Sequence, residues 1–142
     1  RVRLDEGLTV TGPTRYDGFD VNLRAVGELT PTVAALAACA DSASRIRGIG
    51  HLRGHETDRL AAIATELTRL GVGVEAGADE LRIDPRGRVA HTDATVATYS
   101  DHRMATMAAI LGLRVSGVRV ADSGTTAKTM PDFVSAWEAM LA

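Results

Sequence analysis

Apolar residues recur in this chain at two spacings, and each spacing predicts its own kind of element. Leu60, Ile63, Leu67 and Leu70 follow one another at steps of three and four residues, one stripe of a helix over residues 55–70, and Gly71 supplies its stop. Alanine-rich 31–40, strongly apolar 103–113, and 128–141 read as three more helices. Shorter runs read as strands: 8–12, closed by Gly-Pro; 45–52, alternating about Ile46 and Ile49; 95–99; and 117–121. Residues 72–75 and 80–84 form a strand pair around the turn Ala76-Gly77-Ala78-Asp79, ended by Pro85-Arg86-Gly87, and 123–126 is a loop.

The order then repeats. Setting Glu28 on Asp101 gives an offset of 73 residues, at which Leu36 falls on Ala109, His55 on Lys128, and Ile46 within one residue of Val118. Two units of one design follow, 13–85 and 86–142, the second nearly complete. Each runs helix, strand, helix and strand pair, with a strand ahead, which predicts an α/β fold whose sheets carry helices on one face. Glu28, Glu56, Arg59, Asp101, Arg103 and Lys128 all lie at strand-to-helix connections, which gather at the ligand-binding end of such a sheet.

Composition narrows the function. With 142 residues, 45% of them apolar, the chain is long enough for one domain with a core. A net charge of −2 argues against nucleic acid or an anionic membrane as partner. Locally, Arg45, Arg47, Arg53 and Arg59 face only Glu56 and Asp58, a patch able either to concentrate an anion or to stay solvated. The one cysteine, Cys39, lies in an apolar run, where a buried thiol is expected rather than a nucleophile, and it suits a reducing, cytoplasmic setting. No apolar stretch reaches membrane-span length and no signal peptide is visible. The chain opens on Arg1 rather than Met, which leaves room for sequence upstream.

The polar residues suggest an anion site. Three helix starts are expected to carry basic groups: Arg59, Arg103 and Lys128. Free N–H groups and the positive dipole end would add to them, as a small dianion requires. Glu56 is either a helix cap or, on one helical face with Arg59, a proton-transfer group beside a bound phosphate or carboxylate. Thr57 or Asp58 caps the helix, and Asp58 can pair with an arginine. Arg103 is either held by Asp101 at the surface or points into a cleft from the lip of a buried helix. His102 is an acid–base group or makes a structural hydrogen bond, and Lys128 binds an anion or is solvated. His51, His55 and Glu56 invite zinc, but the spacing matches no zinc motif and a third ligand is missing.

His55-Glu56-Thr57-Asp58-Arg59-Leu60, then Asp101-His102-Arg103-Met104-Ala105, then Thr126-Ala127-Lys128-Thr129 with Pro131-Asp132, resemble in order and distance the C-terminal part of the 5-enolpyruvylshikimate-3-phosphate synthase family. The resemblance runs from about Glu28 to the end. It implies repeated βαβαββ units, part of an inside-out, barrel-like α/β enolpyruvyl transferase domain. It also implies transfer of the enolpyruvyl group of phosphoenolpyruvate to the 5-hydroxyl of shikimate 3-phosphate, with release of phosphate and no metal or organic cofactor. Carried over by position, Arg59, Arg103 and Lys128 would grip phosphoenolpyruvate, and Glu56 would protonate its methylene carbon and later take that proton back. Glu28 would accept the 5-hydroxyl proton, and Glu28, His55 and His51 would contact shikimate 3-phosphate.

Two positions depart from that pattern, since many members carry aspartate at Glu28 and lysine at His55. Length departs further. The family has an additional N-terminal domain, which would be this chain's partner, so no turnover is expected from the chain alone. Two other readings remain: the sister enzyme acting on UDP-N-acetylglucosamine, and a non-catalytic α/β fragment.

Overall fold

Asp58 sets where the best-patterned helix begins. Its backbone is extended (φ −68°, ψ 90°) and its carboxylate accepts the N–H of Ala61 at 3.0 Å, so the chain becomes helical only at Arg59. Helix α2 is therefore Arg59–Arg69, and the start expected at residue 55 is corrected. The Asp58 side chain takes an N–H that a longer helix would need for itself. His55 and Glu56 lie outside the described residues, which in this computed structural model are 2–4, 7–54 and 57–142. The expected apolar stripe is real: Leu60, Ile63, Leu67 and Leu70 are all fully buried. Gly71, at φ 76°, then turns the chain out; a Cβ there would stand 2.4 Å from the carbonyl oxygen of Gly87.

The stripe packs on one face of a four-stranded sheet in the order β3 (Asp20–Asn22), β4 (Ser44–Arg47), β6 (Glu80–Asp84), β5 (Gly73–Ala76). Strands β3 and β4 are parallel, and β6 is antiparallel to both of its neighbours. Ile46, Leu81 and Ile83 face the helices, while Arg45, Arg82 and Glu80 alternate away from them. Strand β4 ends before the predicted residue 52, because Gly48 at φ 75° breaks the extended backbone and Gly50–Gly54 winds into a 3₁₀ turn.

Helix α1 (Thr30–Cys39) carries Pro31 in its first turn, where a missing N–H is harmless. Its buried alanines, Ala34, Ala35, Ala37 and Ala38, let it approach α3 (His102–Gly112), which contributes Met104, Met107 and Leu111 to the same core. Cys39 is half-buried, and burial raises its thiol pKa, the setting of an unreactive side chain.

Beyond β6 comes a second parallel pair, β7 (Thr95–Val96) with β8 (Arg119–Val120), extended by a bridge between His91 and Ser116. Strand β7 stops short of the predicted residue 99, for a reason given below. Ser123–Lys128 forms a 3₁₀ segment and α4 (Phe133–Leu141) follows. The expectation that Lys128 opens the last helix is thus corrected: Pro131 disfavours helical backbone just before it and delays α4 to Phe133. No residue of α4 is fully buried, and a cleft of about 310 Å³ lies between it, α3 and β8, lined by Ala108, Val118, Phe133 and Trp137.

At the other end, β1 (Val2–Leu4) pairs antiparallel with β2 (Leu8–Val10). Val2 lies opposite Val10 and Leu4 opposite Leu8, and all four are exposed. No helix among the described residues is long and apolar enough to cross a membrane.

Candidate functional site

Three connections meet where the helices start. Glu28 sits in the 3₁₀ turn Gly27–Leu29 leading into α1, Arg59 is the first residue of α2, and Asp101 caps α3 by accepting the N–H of Arg103 at 2.8 Å. The Asp101 side chain is wholly buried, and its second oxygen accepts Nε of Arg59 at 2.6 Å. Arg59 Nη1 donates to Glu28 Oε2 at 2.8 Å. The same oxygen stands 2.6 Å from Nε of Arg103, whose Nη1 also donates to the backbone carbonyl of Glu28 at 3.1 Å. One carboxylate oxygen is therefore shared by two guanidiniums drawn from different helices.

The electrostatics explain why this holds together. A cation at the first residue of a helix faces the positive end of the dipole, an unfavourable position. Burial pulls the Arg59 pKa down, but the hydrogen bonds it donates to Asp101 and Glu28, with their charges, outweigh burial and raise it overall. Glu28 and Asp101 neutralise Arg59 and Arg103. The Arg59 side chain is 3% exposed, whereas that of Glu28 is 45% exposed. An incoming anion would reach the arginines by displacing the Glu28 carboxylate.

The other candidate residues are placed less centrally. His51 is exposed in the Gly50–Gly54 turn, beside the turn that carries Glu28; a Cβ on Gly27 would stand 2.4 Å from its Nε2, so glycine is what lets them meet. Lys128 is exposed at the end of Ser123–Lys128, a segment packed on α3. His55 and Glu56, and with them the expectation that Glu56 shares a helical face with Arg59, lie outside the described residues. Neither ring nitrogen of buried His102 has a hydrogen-bond partner among the described residues, against the structural hydrogen bond considered for it; Asp101 Oδ1 is 4.0 Å away. The arginine patch is likewise not a field of unpaired charge: Arg45 pairs with Glu80, Arg47 with Asp20 and Arg53 with Asp58. Among the described residues no group of three or more His, Cys, Asp or Glu is arranged to hold a metal ion.

Two features of this region escaped the sequence reading. Tyr99 and Ser100 have φ of 55° and 57°, and Asp101 N–H donates to the Thr98 carbonyl at 2.9 Å, as in a type I′ turn. This turn is what ends β7 early. Such turns normally carry Asn-Gly; here each left-handed residue costs roughly 1–2 kcal/mol. The second feature is Glu66, buried on α2. It accepts Tyr99 OH at 2.8 Å, the N–H of Ala97 at 3.1 Å and Nη1 of Arg69 at 3.1 Å. Burial, then the hydrogen bond to Glu66, raises the Tyr99 pKa. Its position was the available signal: a carboxylate three residues after Ile63 and four before Leu70 belongs to an apolar stripe.

Comparison with known proteins identifies the family of the chain. The chain is 58% identical over 140 residues to a 3-phosphoshikimate 1-carboxyvinyltransferase of Kocuria rhizophila, covering 96% of the chain and 30% of the relative. It is 54% identical to the protein of that name from Mycobacterium ulcerans, covering 97% of the chain and 32% of the relative. The chain thus spans about a third of the length of these relatives. Its fold is shared with two EPSP synthase structures from Acinetobacter baumannii, at TM-scores of 0.81 and 0.78, with 22% and 21% identity, each over 98% of this chain and 34% of the other. The family model described as EPSP synthase (3-phosphoshikimate 1-carboxyvinyltransferase) matches residues 2–137, and the chain belongs to that family.

Proposed function

We propose that the chain is the C-terminal part of an enzyme that transfers the enolpyruvyl group of phosphoenolpyruvate to the 5-hydroxyl of shikimate 3-phosphate and releases phosphate. The observation that carries this reading is the single Glu28 oxygen shared by Arg59 and Arg103. Two guanidiniums already converging on one carboxylate form a ready receptor for a ligand carboxylate of the same geometry. Units 13–85 and 86–142 remain the proposed division of the chain, with an N-terminal domain completing the enzyme in the cytoplasm.

In this scheme phosphoenolpyruvate takes the place of Glu28 on the arginines, and Lys128 adds charge at the phosphate. Glu28, released from the two arginines, accepts the 5-hydroxyl proton as that oxygen bonds to the substituted carbon of phosphoenolpyruvate. Glu56 delivers a proton to the methylene carbon, which becomes a methyl group, and a tetrahedral intermediate results. Return of one methyl proton to Glu56 then restores the double bond as phosphate leaves with the C–O bonding pair. Interactions that strengthen only as phosphate gathers charge lower the barrier, a role suited to the cationic groups. His51 and His55 are the proposed contacts to shikimate 3-phosphate. Histidine is charged only part of the time near neutral pH, so a contact through His55 weakens as pH rises.

Calorimetry with phosphoenolpyruvate tests the site in this chain. Binding heat is expected from the native sequence and none from Arg103→Ala; equal heats would refute the reading. A phosphate-release assay is expected to show no turnover by the chain alone. With the N-terminal domain restored, shikimate 3-phosphate and not UDP-N-acetylglucosamine is the expected acceptor.

A further inference from the structure

We infer that Glu66 is a positioning residue, which through Tyr99 holds the turn that places Asp101 and Arg103. Nothing in the chemistry of enolpyruvyl transfer calls for it, yet it is a buried carboxylate with four hydrogen bonds, to Tyr99, Ala97 and twice to Arg69. Two of those partners, Ala97 and Tyr99, belong to the four residues between the end of β7 and the cap of α3. Ala97 precedes and Tyr99 lies within the strained turn, which has left-handed backbone at Tyr99 and Ser100 and neither glycine nor asparagine to ease it. Left to itself, that segment would relax toward ordinary backbone. Relaxation would shift Asp101, because Asp101 N–H closes the turn onto Thr98. It would also shift Arg59, because Asp101 holds Arg59 Nε.

The route is short and continuous. Glu66 and Arg59 lie on one helix, α2, so the helix anchors both ends of a loop of contacts: Glu66 to Tyr99, Tyr99 to Asp101 along the chain, and Asp101 back to Arg59. A strained conformation persists only where its surroundings over-determine it, and a ligand-gripping group keeps its geometry only where a second layer fixes it. Glu66 supplies that layer here. Its functional meaning rests on the phosphoenolpyruvate reading; the positioning itself does not.

The test uses the 142-residue chain and three variants, Tyr99→Phe, Glu66→Gln and Tyr99→Phe/Ser100→Gly. Hydrogen exchange of Arg59 Nε–H is compared with that of the backbone amides of Ile63 and Ile46. Tyr99→Phe is expected to speed Arg59 Nε–H exchange about tenfold, the scale of a lost hydrogen bond to a charged group, with the two core amides unchanged. Glu66→Gln keeps one acceptor oxygen for Tyr99 but turns an amide NH2 toward the donors Ala97 N–H and Arg69, and should speed Arg59 Nε–H exchange at least as much. Ser100→Gly removes one of the two left-handed penalties and should return the double variant part of the way toward the native rate. A general loss of stability would speed all three probes together, and that result, or an unchanged Nε–H rate, overturns the proposal. Phosphoenolpyruvate affinity is measured alongside. If Nε–H exchange responds as expected while no variant and not even the native chain binds phosphoenolpyruvate, positioning stands and the ligand assignment falls.

Discussion

Glu28 Oε2 lies 2.6 Å from Nε of Arg103, though the residues belong to connections in different parts of the chain. Their partner Arg59 reaches the same oxygen at 2.8 Å, so three strand-to-helix connections are tied by a single atom. The tie is asymmetric: Arg59 is buried and Glu28 half-exposed, which makes Glu28 the member able to move.

Removing Arg59 should cost more stability than removing Glu28. Arg59→Ala strands the fully buried Asp101 carboxylate and is expected to cost about 3–5 kcal/mol. Adding Asp101→Asn should recover much of that loss, a coupling that urea denaturation of the four members of the cycle would measure. Additive losses would show that the pair is not coupled.

For Glu28→Gln the expected pattern is opposite, small in stability and large in chemistry. Its partly exposed ion pairs contribute up to about 1 kcal/mol. Under the proposed role of Glu28 as acceptor of the hydroxyl proton, the substitution in a protein rejoined to an N-terminal domain should lower kcat by about 10²–10⁴. Steady-state rates that match the native enzyme would remove Glu28 from the chemistry.

Acid should weaken the fold in a defined window. Hydrogen bonds from Arg86 hold Asp84 down to about 2, from an ordinary value of 3.8. Asp58 is also lowered, its backbone and Arg53 hydrogen bonds outweighing burial, and Glu80 is lowered by Arg45. Depressed carboxylates contribute stability that is present above their unfolded pKa and lost as pH falls through the folded one. The urea midpoint should therefore hold at pH 5 and decline from about pH 4 to pH 2. Asp84→Asn should make that decline shallower.

Gly71→Ala is expected to destabilise by about 1–3 kcal/mol or more. Its φ of 76° disfavours any side chain, and the new Cβ would meet the Gly87 carbonyl oxygen at 2.4 Å. Gly12→Ala, where a Cβ meets nothing within 4 Å, serves as the control and should change the thermal midpoint little.

Much of this architecture is legible from periodicity because the stripe of α2 and the β5–β6 pair are set by local pattern alone. The helix start was misplaced because Asp58 and the polar residues before it all favour a first turn, and only the observed backbone shows which one caps. Lys128 was misplaced because small polar residues after a strand suit a 3₁₀ segment as well as a helix start. Arg59, Arg103 and Glu28 could be picked out by residue type, and the family motifs gave them roles. Their convergence on one oxygen, and the burial of Asp101, depend on partners up to 75 residues away that no local pattern reports. Glu66 was visible as an acid among leucines and isoleucines, but its partner Tyr99 was hidden by being read as strand.

Asp101 serves two masters, ending one peptide ladder and balancing one guanidinium. Serine, threonine or asparagine at that position would satisfy the first duty and fail the second. Tolerance to replacement there should accordingly be far narrower than the rules for helix beginnings allow, and a variant library scored on folding alone should already single out aspartate.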